Sequence, residues 1–330
     1  MIARRMEDET MRIPVLMIVL LLGLAVSRCA FGGGERTNGA THVRVAAGDL
    51  DAVFVDNDAF GDHRAGYNGI ASLKHVKEPR TLFVPQYAGF NLEHVFGGDE
   101  LADLFEPRKH PMTIEKRSDS TVVLHQSPTP LSAVESTTTF RVREPHYIDI
   151  EFDCVAHRLG FFRHGYLGLF WASYINEPED RSIHFLGRDE AGGELGWIAA
   201  FSETHGVKST HRHIEDRKDL FFADNFNATL ANHFSEYRYA EPFYYGRFNG
   251  MVFIYMWDRS EGIRFSQSPT GGGNKNPAWD FQFIVPEPVA GTHYGFRSCL
   301  VYKPFVSTDD VLAEYRRWKG SLSKKGEEKG

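Results

Sequence analysis

His211 and His213 stand one residue apart in the run His205-Gly206-Val207-Lys208-Ser209-Thr210-His211-Arg212-His213. Alternate residues of an extended strand share a face, so this spacing predicts two imidazoles side by side. Imidazole titrates near neutral pH and suits acid–base work. With His205, Glu93 or Glu203 the same pair would hold a divalent metal; a wet polar strand is the plain alternative. A second run, Arg238 to Arg247, gathers Glu241, Tyr244, Tyr245 and Arg247. It offers a carboxyl to move a proton, phenols, and guanidinium groups that clamp a carboxylate or sulfate. Its alternative is a strand with the tyrosines in the core and the arginines in solvent. A third run, Asn91-Leu92-Glu93-His94, follows Gly89-Phe90 and reads as a loop at a binding edge. If extended, Glu93 and His94 point to opposite sides, and Asn91 and Glu93 share one.

The fourth run begins at Gly271-Gly272-Gly273. It lacks the Gly-Lys-Ser/Thr of a phosphate-binding loop. Trp279, Phe281, Phe283 and Val285 alternate with Asp280, Gln282 and Ile284, which predicts a strand rather than a helix. The reading is a glycine loop shaping the wall of a sugar groove. Trp279 would stack on a pyranose, while Asn274, Asn276 and Asp280 bond its hydroxyls. A long hairpin with Trp279 in the core is the rival. The catalytic candidates are therefore His211, His213, Glu241, Tyr245 and Arg247. The substrate-binding candidates are Asn91, Glu93, His94, Tyr244, Asn274, Asn276, Trp279 and Asp280. No cofactor is called for; a divalent metal, if bound, would sit on His205, His211 and His213. No Gly-x-Ser-x-Gly elbow and no Cys-x-x-Cys pair is present.

These residues need strands to position them. Strand patterns fall at Leu50–Val55, Gly69–Lys74, Val122–His125, Val134–Val142, Tyr147–Cys154 and Gly168–Tyr174. They continue at Ser182–Leu186, Trp197–Ser202, Leu220–Phe222, Met251–Met256, Ile263–Phe265, Trp279–Val285 and Tyr294–Tyr302. Helix is expected only as a turn at Glu100–Phe105 and at Val311–Trp318, the latter opened by the capping pattern Ser307-Thr308-Asp309-Asp310. The fold class is thus all-β: a large antiparallel sandwich with one short C-terminal helix. Residues 49–318 form one domain, and 319–330 are expected to be a disordered tail. The aromatic content of 13%, with 26 Phe and 13 Tyr, suits strands and sugar-facing surfaces. A net charge of −7 gives no footprint for nucleic acid.

Arg4, Arg5 and Arg12 precede the apolar run Ile13–Val26, with small residues at Ala25-Val26-Ser27. That pattern predicts a signal peptide over 1–27 and no membrane span after its removal. A flexible linker is read over 28–48. The mature chain is expected to be secreted or periplasmic, with a lipid anchor at Cys29 ranked lower. Cys154 and Cys299 are read as buried thiols, a disulfide being the alternative. An exported chain of consecutive strands, rich in Phe, Tyr, Trp and His, resembles the galactose-mutarotase-like supersandwich over residues 45–305. That resemblance is architectural and implies a carbohydrate groove on a concave sheet face. The expected function is an exported enzyme acting on a poly- or oligosaccharide: a lyase, a glycoside hydrolase or a sugar epimerase. A non-catalytic carbohydrate-binding or cell-surface protein, and a metal-dependent His-x-His enzyme, stay as alternatives.

Overall fold

Period-two alternation sets the architecture. In Tyr147–Ala156, Ile148, Ile150, Phe152 and Cys154 are buried while Glu151 is exposed, which makes a strand with one wet and one dry face. The computed structural model describes residues 40–98, 104–222, 229–271 and 273–327. The expected signal peptide and most of the Glu100–Phe105 turn lie outside these.

Among the described residues, eighteen strands and three helices follow in order. The strands of the first half are β1 (His42–Ala47), β2 (Leu50–Val55), β3 (Gly69–His75), β4 (Asn91–Phe96), β5 (Thr113–Lys116), β6 (Thr121–Gln126), β7 (Val134–Arg143), β8 (Tyr147–Ala156) and β9 (Tyr166–Ala172). Those of the second half are β10 (Ile183–Asp189), β11 (Gly196–Ala200), β12 (Thr210–His211), β13 (Tyr237–Tyr239), β14 (Phe243–Phe248), β15 (Met251–Trp257), β16 (Ile263–Ser268), β17 (Ala278–Pro286) and β18 (His293–Pro304). The helices are α1 (Glu106–Lys109), α2 (Thr229–Asn232) and α3 (Thr308–Glu327).

Three antiparallel sheets result. One is β1-β2-β3; a ten-stranded sheet runs β11-β10-β14-β15-β18-β8-β7-β6-β5, with β13 on β10; a five-stranded sheet runs β12-β16-β17-β9-β4. The main core lies between the ten-stranded sheet and the other two. There Phe152, Phe253 and Tyr255 of the large sheet meet Trp171, Phe265 and Phe281 of the five-stranded sheet and Phe54 of the small one. Trp171 and Phe281 stack at 4.8 Å. Helix α3 covers the outer face of the large sheet, laying Val311, Tyr315 and Trp318 on Val252, Ile254, Met256, Cys299 and Val301. Ser307 Oγ caps it by accepting the Asp310 amide at 3.1 Å. Beneath it, the buried Lys303 Nζ lies 2.5 Å from Glu314 and 2.9 Å from Asp310.

An all-β sandwich with a C-terminal helix is what the alternation predicts, and several boundaries differ. The segment read as linker holds β1, whose register against β2 runs from His42↔Val55 to Ala47↔Leu50. The expected tail at 319–330 continues α3 to Glu327: Leu322 packs on the same cluster and Lys319 Nζ donates to the Asp258 carbonyl at 2.6 Å. Leu220–Phe222 is not a strand. Cys154 and Cys299 are free thiols, buried on opposite faces of the large sheet: Cys154 faces the main core and Cys299 faces α3.

Candidate functional site

The outer face of the five-stranded sheet is polar although it is covered. Across it, Arg264 pairs with Gln282, Gln282 with Phe170 and Phe170 with His94 in register. One step along, Ser266 pairs with Asp280 and Ala172 with Asn91. Arg264, Gln282, Ser266, Asp280, Asn91 and His94 are all at most one-tenth exposed. Burying so many polar groups costs free energy unless each finds a partner, so this face is where a ligand has something to satisfy.

Strand β4 brings the site to its edge. The sequence reading of Asn91–His94 as a loop is corrected: these residues open a strand. A β-bulge between Leu92 and His94 breaks the alternation. Glu93 and His94 therefore do not diverge as a regular strand would require; His94 Nε2 and Glu93 Oε2 lie 3.8 Å apart. Glu93 Oε1 accepts from the Tyr174 hydroxyl at 2.8 Å and from Arg108 Nη1, of α1, at 2.8 Å. Arg108 also donates from Nε to the Gly66 carbonyl at 2.8 Å and lies 3.8 Å above the Tyr67 ring, a cation–π contact worth about 1 kcal/mol. Tyr67 meets Tyr87 at 4.7 Å and Tyr174 at 5.7 Å, and Tyr87 meets Tyr174 at 4.9 Å. All three rings are half-buried, and the exposed Arg64 stacks over Tyr87 at 5.5 Å. Gly69 lets this wall approach: at φ +102° its missing Cβ would lie 2.5 Å from the Gly89 carbonyl. Asn68 is thereby held on β4, donating from its amide nitrogen and from Nδ2 to Asn91 Oδ1, both at 3.1 Å. Asn91 Nδ2 is buried without a hydrogen-bond partner among the described residues.

Asp280 is tied to the segment that carries Tyr174. Its Oδ1 accepts from the Ser173 amide at 3.0 Å, and no Lys, Arg or His pairs with it among the described residues. Burial pushes its carboxyl well above the usual carboxylate range, and the charge of Glu93 adds to the effect. Two carboxyl groups thus share a site in different environments, one held by a guanidinium and one kept toward its neutral form. Burial likewise pushes the Tyr174 phenol well above its ordinary value and raises that of Tyr67, while it lowers His94.

The site gathers Asn91, Glu93, His94 and Asp280, and leaves the other sequence candidates elsewhere. His211 is buried against Phe185 at 5.0 Å, and its Nδ1–H donates to the Tyr237 carbonyl at 3.2 Å; burial brings it down to about 4. His213 donates from Nε2 to the Ala240 carbonyl at 3.1 Å, beyond the two-residue strand β12. His205 shares a hydrogen bond with Ser268 Oγ at 3.0 Å. The three do not form a metal-ligand group, and no cluster of three or more His, Cys, Asp or Glu suited to a metal occurs among the described residues. Glu241 accepts from the Tyr315 hydroxyl of α3 at 2.8 Å, and Tyr245 and Arg247 lie on that same outer face of the large sheet. Tyr244 faces the main core and donates to the Trp279 carbonyl at 3.0 Å. Trp279 is fully buried, donating from its indole to the Arg181 carbonyl at 3.1 Å, so the hairpin rival is the observed one and no sugar reaches this ring. Asn276 caps the Glu177 amide at 3.0 Å, and the Asn274 carbonyl accepts from Arg181. The sequence reading missed Tyr67, Tyr87, Arg108 and Tyr174. Their signal was weak, since they come from four separate segments and no spacing joins them.

No family model and no curated protein matches this chain. Among solved structures, an aldose 1-epimerase homologue from Escherichia coli aligns with 80% of this chain and 99% of its own length, at 9% identity and a TM-score of 0.46. An aldose epimerase homologue from C. elegans aligns over the same shares at 10% identity and a TM-score of 0.46. A heparan sulfate lyase from Pedobacter heparinus aligns with 78% of this chain and 34% of its own, at 11% identity and a TM-score of 0.40. Likeness this loose fixes neither substrate nor reaction.

Proposed function

We propose that this chain is an exported carbohydrate-active enzyme that holds a sugar ring against the Tyr67–Tyr87–Tyr174 wall and protonates one of its oxygens from Asp280. The observation that carries the reading is the pair of unlike carboxyl groups tied to Tyr174 and its segment. A buried carboxyl that keeps its proton is suited to act as general acid, while the Arg108-held Glu93 is suited to act as base or to stabilise developing positive charge. Glycosidic cleavage and sugar epimerisation both use such a division of labour. A tyrosine-base lyase is disfavoured, because burial raises Tyr67 and Tyr174 when a base would need a lowered pKa. Arg12 directly before the apolar run at 13–26, and the small residues that close it, support export.

The test is turnover of neutral and uronate-bearing oligosaccharides by the purified chain, followed as new reducing ends and as anomer interconversion. Asp280→Asn and Glu93→Gln are expected each to lose about a hundredfold or more in kcat. Full activity in Asp280→Asn would overturn the proton-donor assignment. A second reading, sugar binding without turnover, is favoured by the depth of Asp280, whose side chain barely reaches solvent at 1% exposure. Wild-type affinity without any product would establish it.

A further inference from the structure

The outer face of the large sheet holds a second cluster that this reaction does not use. On β14, Tyr245 and Arg247 point to the face covered in part by α3. The His184 ring of β10 stacks on Tyr245 at 4.7 Å with 13° between planes. Trp197 of β11 meets the Tyr245 ring edge-on at 5.5 Å and is half-buried. Phe305, in the link between β18 and α3, closes the other end at 6.3 Å from Tyr245. Its ring carries the Arg247 guanidinium at 3.8 Å.

Arg247 is the unsatisfied member. Its Nε is buried without a hydrogen-bond partner among the described residues, and it makes no ion pair there. The acidic groups nearby are already engaged. Asp180 Oδ2 receives His184 Nε2 at 2.7 Å, and its Oδ1 receives the Ser182 amide at 2.9 Å. Glu179 takes the backbone amides of Asn249 and Gly250 at the turn that follows β14. A half-buried guanidinium with no carboxylate partner keeps an unneutralised charge, and an anion supplies the partner. On the other side of Tyr245, the half-exposed Trp197 presents the kind of aromatic surface on which a pyranose stacks.

From this geometry we infer a second, non-catalytic sugar subsite on the outer face of the large sheet, in which Arg247 binds the carboxylate or sulfate of an anionic glycan and Trp197, across Tyr245, stacks on a further ring of the same glycan. It is separate from the Asp280 site and does not rest on the reaction assigned there. Two such sites on opposite layers would let one chain engage a polysaccharide at two points and raise its effective affinity.

Calorimetric titration of the full chain tests this with three probes: an oligogalacturonate, a sulfated oligosaccharide and a neutral oligosaccharide of equal length. Wild type is expected to bind an anionic probe at the outer site, the better of the two showing whether carboxylate or sulfate is preferred, and the neutral one at least about tenfold more weakly there. Arg247→Gln and Trp197→Ala are expected to weaken the anionic event about tenfold each, and Arg247→Lys to restore part of it. Their melting temperatures should stay near wild type, which separates lost binding from lost folding. Tyr87→Ala, in the wall of the Asp280 site, should leave the event intact; if the reading of that site fails, the event on the large sheet persists alone. Unchanged affinity in both Arg247→Gln and Trp197→Ala, equal affinity for the neutral probe, or loss of the event in Tyr87→Ala would overturn the inference.

Discussion

At the scale of single residues, burial decides which groups do chemistry and which only pack. Asp280 has a folded pKa raised well above its reference value of 3.8, with burial the largest cause. The sign follows from linkage: the neutral form is favoured in the fold, so this contribution is fully present below pH 3.8 and is lost as pH rises through the folded value. Asp280→Asn removes the loss, so its melting temperature should gain on wild type as pH goes from 5 to 8. A constant difference across that range would show that Asp280 ionises freely in the fold. His211 runs the other way. Its pKa falls from 6.5 to about 4 on burial, so stability is fully present above pH 6.5 and is lost as pH falls from there through about 4. The shift corresponds to about 3 kcal/mol. Urea unfolding of wild type and His211→Gln at pH 7.5 and 4 should show the gap between them narrowing by that order at the lower pH. A gap independent of pH would place His211 in water. The residue types at the candidate site were visible in the sequence, but their ionisation and company were not. His-x-His marks acid–base or metal chemistry only if the rings meet solvent, and here Phe185 and a backbone carbonyl occupy His211.

At the scale of elements, the period-two pattern placed most strands to within a few residues, because each face of a half-buried strand must match its surroundings. It failed where that rule is locally suspended. In β4 all six residues are buried, so there is no polar face to count, and the bulge brings neighbours Glu93 and His94 together. In β17 nearly every residue is buried, which hides whether Trp279 faces a groove or the core. The answer lies in another strand: Gly246 of β14 leaves the space that the Trp279 ring fills, and a Cβ there would come within 2.2 Å of it. Gly246→Ala is therefore expected to destabilise the fold by about 2 kcal/mol or more through overpacking. Chemical denaturation measures it, and a neutral outcome would mean that the indole has room to move. β1 was lost to a linker reading because Gly32–Gly34 and the polar residues after them dominate that stretch, although His42–Ala47 alternates on its own.

At the scale of the whole molecule, the class of fold was legible from the run of short strands, whereas the assignment of strands to layers was not. Which strand lies beside which depends on contacts that no local pattern carries. The clearest case is the seam of the large sheet, where Tyr147–Val155 of β8 pairs with His293–Val301 of β18. This ladder joins β5–β8 to the rest of the sheet across more than a hundred residues of intervening chain. Its consequence is kinetic. Closing so long a loop costs entropy before any pairing repays it, so folding should be slow for a chain of this size. During synthesis β8 emerges early and waits with an unpaired edge and an apolar face until the last strand leaves the ribosome, an invitation to pair with another chain. A chain ending at Gly291 should accordingly be found in the insoluble fraction when expressed, and soluble, monomeric recovery of that fragment would show that β1–β17 fold without the closing strand.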